Sequence, residues 1–286
     1  MRTTQLLDIR HTTAEEVSAL DRTHFPDPTV GALFFSLFHA GEQHTPEYLA
    51  AYERLNVFDT WPSTRCRILD EVTDATFDLL FATQPEQLRE ECSTMLQRCT
   101  TASSARYTGP CAHLEIQYEP SSGTPYTGFE PYEYNLPAGE VAFQPTAING
   151  TVSFRGWLIG TIPFGQKYGR IREGQLTLTF ADRQITRVDG SGPLVHDLEN
   201  AFDRSPGLRQ VNEFGIGLHR AAAETARKHN VGLQWMEKCR GLHLGLGAEL
   251  SEHIEDHRTR RTHHHLDLVF ETGQLAIGST IALTWP

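Results

Sequence analysis

Gln175-Leu176-Thr177-Leu178-Thr179-Phe180 alternates polar and apolar residues with period two, and Ala181-Asp182-Arg183 then turns the chain into Gln184 to Val188. Successive side chains of a strand point to opposite faces, so this alternation describes a hairpin with one face in a core. The same character spreads on both sides. Gly150 to Ile162 carries several β-branched and aromatic residues, which suit a pleated surface. Leu244 to Ala248, Leu266 to Phe270 and Ile281 to Trp285 also read as strands, while Leu194 to Phe202 and Ala221 to His229 read as helices. Strands joined by short turns and interrupted by helices make the C-terminal half α+β, with antiparallel hairpins. No internal repeat or low-complexity tract interrupts it.

Upstream, Pro120 to Pro137 is rich in Pro, Gly, Ser and Tyr and reads as a loop or linker, the natural domain boundary. Before it, Ala112 to Tyr118 alternates as a strand, and Pro85 to Cys99 is a helix with Leu88, Cys92, Met95 and Leu96 on one face. Residues 1–85 read as mostly helical. Leu49 to Val57 forms a short helical stretch after Thr45-Pro46-Glu47. Arg65 to Leu69 and Thr76 to Phe81 fit short strands or helix ends equally. The expectation is α+β: a short, mostly helical domain over 1–130, then a mixed, largely antiparallel α+β domain over 131–286.

The chain has 286 residues, 39% hydrophobic and 21% charged, which fits a globular protein. Its net charge of −11 argues against nucleic acid as a partner, because phosphate binding needs a basic face. No apolar run reaches bilayer length, and Met1 to Asp8 holds no signal-like apolar segment. Five cysteines without a Cys-x-x-Cys pair are the usage of a reducing compartment. A cytoplasmic protein without a membrane partner is expected.

Five residues could carry chemistry: Glu140, Glu213, His243, His265 and Asp267. In a strand, His265 and Asp267 share a face, with Leu266 turned the other way. His243 lies in Gly241-Leu242-His243-Leu244-Gly245-Leu246-Gly247, where glycines permit close backbone approach. Glu213 and Glu140 stand among apolar residues, where a carboxylate is costly to bury unless it meets a cation or a donor. Each alone has an ordinary explanation: a solvated histidine patch, a hydrogen-bonded core histidine, a surface carboxylate or a salt bridge. Together, carboxylate and imidazole are the mixture preferred by zinc, manganese, cobalt or ferrous iron. The absence of cysteine from the set argues against a structural thiolate zinc site. Arg258, Arg260 and Arg261 could clamp a peptide carboxylate or simply form a solvated loop.

Asn135-Leu136-Pro137-Ala138-Gly139-Glu140-Val141, then Asn212 to Gly217, then Glu237-Lys238 with Gly241 and His243, then His265-Leu266-Asp267, resemble in order the thermophilic metalloprotease family of bacterial aminopeptidases, of the aminopeptidase T and S type. The likeness covers roughly residues 95 to 284. It implies a metallopeptidase-like domain over 131–286 and a reduced, lid-like domain over 1–130. It further implies a two-metal centre of zinc, cobalt or manganese that removes N-terminal residues from peptides. Glu140, Glu213, His243, His265 and Asp267 would be its ligands. Glu213 or Glu140 would bridge the metals or assist the attacking water. A peptide is the implied partner, and a homodimer is left open.

The chain departs from that pattern. The family's tyrosine after the histidine falls near Leu250, and no tyrosine follows Tyr168. Met236 stands where the family has an acidic residue, and the asparagine expected near His219 is absent. In this truncation the chain resembles peptide-binding accessory proteins of ribosomal peptide natural-product biosynthesis, as in crocagin. That resemblance implies a chain that would hold a precursor peptide for partner enzymes without turnover. Dihydroxypyridine dioxygenases also resemble the fold, and would place ferrous iron on His243, His265 and Asp267.

Overall fold

The computed structural model describes residues 85–127, 138–160, 162, 164–220, 234–247 and 264–286, with the backbone of three short strands at 32–36, 66–70 and 135–136. By its contacts the chain divides into Met1–Thr73 with Gly128–Leu136, and Asp74–Thr127 with Pro137–Pro286. In the first unit, β1 (Ala32–Ser36), β2 (Cys66–Asp70) and β6 (Asn135–Leu136) form a parallel three-stranded sheet. The stretch at 65–69 that sequence left open is thus a strand. The helices expected at 49–57 and 221–229, the segment 76–81, the arginine cluster at 258–261 and the division after residue 130 lie outside the described residues.

The second unit is built from two antiparallel sheets. The alternating stretch at 175–188 folds as expected: β10 (Leu176–Ala181) pairs with β11 (Gln184–Gly190). Asp182 and Arg183 form the turn with φ of 49° and 66°, the left-handed pair whose twist suits a two-residue hairpin. Leu176, Leu178 and Phe180 are buried while Thr177 and Thr179 are not. This hairpin forms one end of a seven-stranded sheet, which continues through β8 (Pro145–Ser153), β4 (Ala112–Tyr118), β3 (Ser104–Gly109), β15 (Gly273–Ile277) and β16 (Thr280–Trp285).

The other sheet has six strands in the order β5 (Thr124–Tyr126), β7 (Glu140–Phe143), β12 (Val211–Gly217), β13 (Gly241–Gly247), β14 (His265–Phe270) and β9 (Gly156–Gly160). The apolar faces of the two sheets share one core. Tyr118 of β4 stands with ring centroids 5.0 Å from Phe143 and 5.3 Å from Phe214, and Tyr107 of β3 stands 4.8 Å from Phe270. Leu242, Leu244, Leu246, Leu266 and Leu268 point into the same core. Each such side chain contributes about 1.5–3 kcal/mol on burial.

Among the described residues, α1 (Pro85–Thr100), α2 (Phe164–Tyr168) and α3 (Pro193–Arg204) pack with these sheets. In α1, Leu88, Cys92, Met95 and Cys99 are buried at helical spacing. In α3, Leu194, Leu198 and Phe202 do the same. The α+β expectation holds for the described region. The loop expected over 120–137 is corrected in part, because β5 lies within it and pairs with β7. Thr124-Pro125-Tyr126 carries a proline, which strands tolerate at a sheet edge, and β5 is such an edge. No helix among the described residues is long and apolar enough to cross a membrane.

Candidate metal centre

The six-stranded sheet has two unlike faces. On β13, Leu242, Leu244 and Leu246 face the core, so His243 and Gly245 face away. On β14, Leu266, Leu268 and Phe270 face the core, so His265, Asp267 and Val269 face away. Glu140 on β7 alternates with core-facing Val141 in the same manner. All these ladders are antiparallel, with Gly217 opposite Glu140, Gly215 opposite His243, and Gly245 opposite both Glu213 and Asp267. The polar residues therefore gather on four neighbouring strands of one face.

Glu213 reaches that face through a bulge. Val211 pairs with Leu246 and Glu213 pairs with Gly245, so Asn212 is an extra residue in β12. The bulge lets Val211 and Phe214 both enter the core while Glu213 points the other way. Asn212 holds the bulge by donating from its side-chain amide to the Gly247 carbonyl.

Glycines form the floor. A Cβ on Gly215 would lie 2.0 Å from Nε2 and 2.1 Å from Cε1 of His243, so the imidazole occupies the space above that glycine. A Cβ on Gly245 would lie 2.8 Å from the Glu213 Cβ, 3.0 Å from His265 Cε1 and 3.2 Å from Asp267 Oδ1. A Cβ on Gly217 would strike the Cys239 carbonyl oxygen at 2.0 Å and that of Glu237 at 2.7 Å. The 3-10 turn Gln234–Lys238 thus lies directly on Gly217, next to Glu140. The His219 amide donates to the Lys238 carbonyl at 2.9 Å and pins this turn.

The five side chains fall into two groups that share a member. Glu140, Glu213 and His243 each offer a ligand atom within 4.8 Å of one another, and so do Glu213, His265 and Asp267. Glu140, His243, His265 and Asp267 are buried, whereas the Glu213 side chain keeps 26% exposure. His243 Nε2 makes its hydrogen bond with Glu213 Oε1 at 3.3 Å, and His265 Nε2 lies 3.0 Å from Asp267 Oδ1. Glu140 Oε1 stands 2.8 Å from His243 Nε2 but has no hydrogen-bond partner, and His243 Nδ1 has none either. The two groups are close but poorly aligned for a hydrogen bond, and a cation between them would engage both.

Sequence reasoning did not assign three further residues that meet at the site. Lys238, also buried, donates to Glu140 Oε2 and lies 2.7 Å from Glu237 Oε1. Its ammonium stands 4.9 Å from the centre of the Tyr126 ring. Tyr126 arrives on β5, directly opposite Glu140. The site thus has a tyrosine, supplied from before the five residues in the chain rather than after them. Only the Glu237-Lys238 pair left a trace in the sequence. Tyr126 sits in the stretch whose composition reads as loop.

Charge sets the proton affinities. Burial works against a charged His243, but the carboxylates of Glu140 and Glu213 outweigh it and hold its pKa well above the usual imidazole range. Burial works against an ionised Glu213, but His243 more than offsets this and lowers its pKa. Burial raises Asp267 despite His265 beside it. Burial also opposes a charged Lys238, yet Glu140 and Glu237 raise its pKa further still. The centre therefore sets several carboxylates against one ammonium and an imidazole that favours its proton. A divalent ion would displace the His243 proton, and the donor set of oxygens and imidazole nitrogens suits such an ion.

Comparison with known proteins agrees at the level of fold. No protein family and no curated protein matches the sequence. Among solved structures, 2,5-dihydroxypyridine dioxygenase from Pseudomonas putida KT2440 aligns with a TM-score of 0.60 and 16% identity, over 99% of this chain and 79% of that one. AmpT from Thermus thermophilus aligns with a TM-score of 0.60 and 15% identity, over 93% of this chain and 76% of that one. The chain thus shares the fold of both and, at such identity, the fold alone.

Proposed function

We propose that this chain binds divalent metal in the cluster of Glu140, Glu213, His243, His265 and Asp267, and uses it on peptides as an aminopeptidase-like hydrolase. The carrying observation is one carboxylate, Glu213, common to two three-residue groups on one sheet face. A two-ion site would use such a shared carboxylate as a common ligand. The mononuclear alternative would place ferrous iron on His243, His265 and Asp267. Among the described residues that triad is not one of the groups that close within 4.8 Å.

Held by these residues, a divalent ion would supply polarisation of a carbonyl and a bound water of near-neutral pKa. The protein's own contribution is to orient and to hold protons. Lys238 holds Oε2 of Glu140 in place, and Glu213, the most exposed of the five, would serve both groups as their shared ligand. His265 and Asp267 hold the opposite side of the cluster. A second reading keeps the same cleft as a holder of a precursor peptide without turnover. The absence of tyrosine after His243 favours it, and the presence of Tyr126 opposite Glu140 favours hydrolysis.

Metal analysis of purified and reconstituted protein tests the site. Stoichiometric zinc, cobalt or manganese is expected, lost in His265→Ala and Asp267→Ala. Protein that takes up none of these ions after reconstitution overturns the reading. A panel of aminoacyl-nitroanilides then separates a hydrolase, which releases nitroaniline, from a holder, which does not.

A further inference from the structure

Lys238 lies inside the candidate centre without being a possible ligand while it is charged. Its ammonium is buried, and it is ion-paired to Glu140 Oε2 on one side and to Glu237 Oε1 at 2.7 Å on the other. Turn Gln234–Lys238, seated on Gly217, fixes it there. Glu140 consequently offers a single oxygen, Oε1, to the group it forms with Glu213 and His243, and that oxygen stands 2.8 Å from His243 Nε2. The group of Glu213, His265 and Asp267 has no such ammonium on either of its own carboxylates among the contacts described.

Resting on the metal-site reading above, we propose that Lys238 makes the two ion positions unequal. The Glu213–His265–Asp267 position fills first and tightly. The Glu140–Glu213–His243 position fills second and weakly, because half of the Glu140 carboxylate is already bound to a fixed positive charge. Two effects act in the same direction. The ammonium repels an incoming cation through a poorly screened interior, where Coulomb energies are several times those in water. It also denies the cation bidentate use of Glu140, since Oε2 is occupied. Glu237 moderates both by sharing the ammonium. Lys238 is thus a positioning residue that acts through Glu140. At limiting metal the chain would carry one ion, with the lysine standing in for the charge of the second.

The test is titration of zinc or cobalt into chelator-treated protein, following heat and, for cobalt, the visible absorption of each site. Wild-type protein should show two separated steps. Lys238→Met keeps the length and bulk of the side chain and removes the charge, so the second step should tighten by on the order of tenfold or more. The first step should move far less. Glu237→Gln leaves Lys238 less neutralised and should weaken the second step. Lys238→Arg should leave the two steps separated. A purely structural lysine would loosen the whole cluster and weaken both steps together. Two equal steps in wild type, a second step that weakens or stays fixed in Lys238→Met, or equal movement of both steps would overturn the proposal alone. Wild-type protein that takes up no ion would overturn the metal-site reading with it. Should Lys238→Met not fold, the Glu237→Gln and Lys238→Arg variants decide by the same measurement.

Discussion

Gly215 and Gly245 matter as much as the residues that carry charge. His243 can lie against β12 only because residue 215 has no side chain, since a Cβ there would sit 2.0 Å from Nε2. Gly215→Ala should therefore push the imidazole off the sheet and weaken metal binding by about 10–100-fold, the loss usual when a group that orients a ligand is removed. Competition with a chromophoric chelator measures it. Unchanged affinity in a folded variant would mean that His243 is not a ligand. The cysteines give an independent check on burial. Among the described cysteines Cys111 is exposed while Cys92, Cys99 and Cys239 are buried, and burial pushes the Cys99 thiol up to about 12. At mildly alkaline pH, iodoacetamide should label Cys111 and spare Cys99, because the thiolate is the reacting form. Peptide mass spectrometry reads the outcome, and early labelling of Cys99 in native protein would contradict the core packing.

His243 also predicts a pH dependence of the metal-free protein. Its folded pKa is raised well above 6.5. The stability this contributes is complete below that ordinary value and is lost as pH climbs through the folded value. In excess chelator the melting temperature should therefore fall from neutral to alkaline pH, and His243→Gln should flatten that fall. Glu213, with a lowered pKa, acts at the other end: its contribution is present above the ordinary carboxylate value and disappears on acidification.

At the scale of elements, the bulge in β12 decides which face Glu213 occupies. A strand has period two, so one residue more or less exchanges its faces. Deleting Asn212 should bring Glu213 onto the core face or turn Val211 out of it. Either change should cost several kcal/mol, since burying an unpaired carboxylate or losing a core valine is expensive. Metal content and thermal melting should fall together. Retention of both would show that the bulge is dispensable. The strand alternation was readable in advance for β10, β13 and β14, because core leucines and the polar residues between them follow that period. The bulge was not, because Asn212 reads as an ordinary strand residue until its partner strand is known. Strand β5 was missed for a related reason: an edge strand needs few apolar residues, and Pro125 and Gly123 beside Tyr126 carry the composition of a loop.

At the scale of the molecule, two antiparallel sheets share one apolar core, and the six-stranded sheet turns its opposite face to the candidate site. A ligand that binds only the folded state adds about 2.7 kcal/mol at a hundred times its Kd. Zinc or cobalt added to chelated protein should thus raise the melting temperature measurably, and the rise should vanish in Asp267→Ala.

The sequence by itself determined the alternation of the strands, the apolar faces of α1 and α3, and the five residues with metal-binding chemistry. These follow from local periodicity and from side-chain type, which need no partner. Only the tertiary structure decided that the five meet on one face, that Glu213 serves two groups, and that Lys238 and Tyr126 join them. Those facts depend on strand order and register across residues far apart in the chain. They also depend on a bulge and on glycine floors, whose meaning exists only once the neighbouring strand is in place.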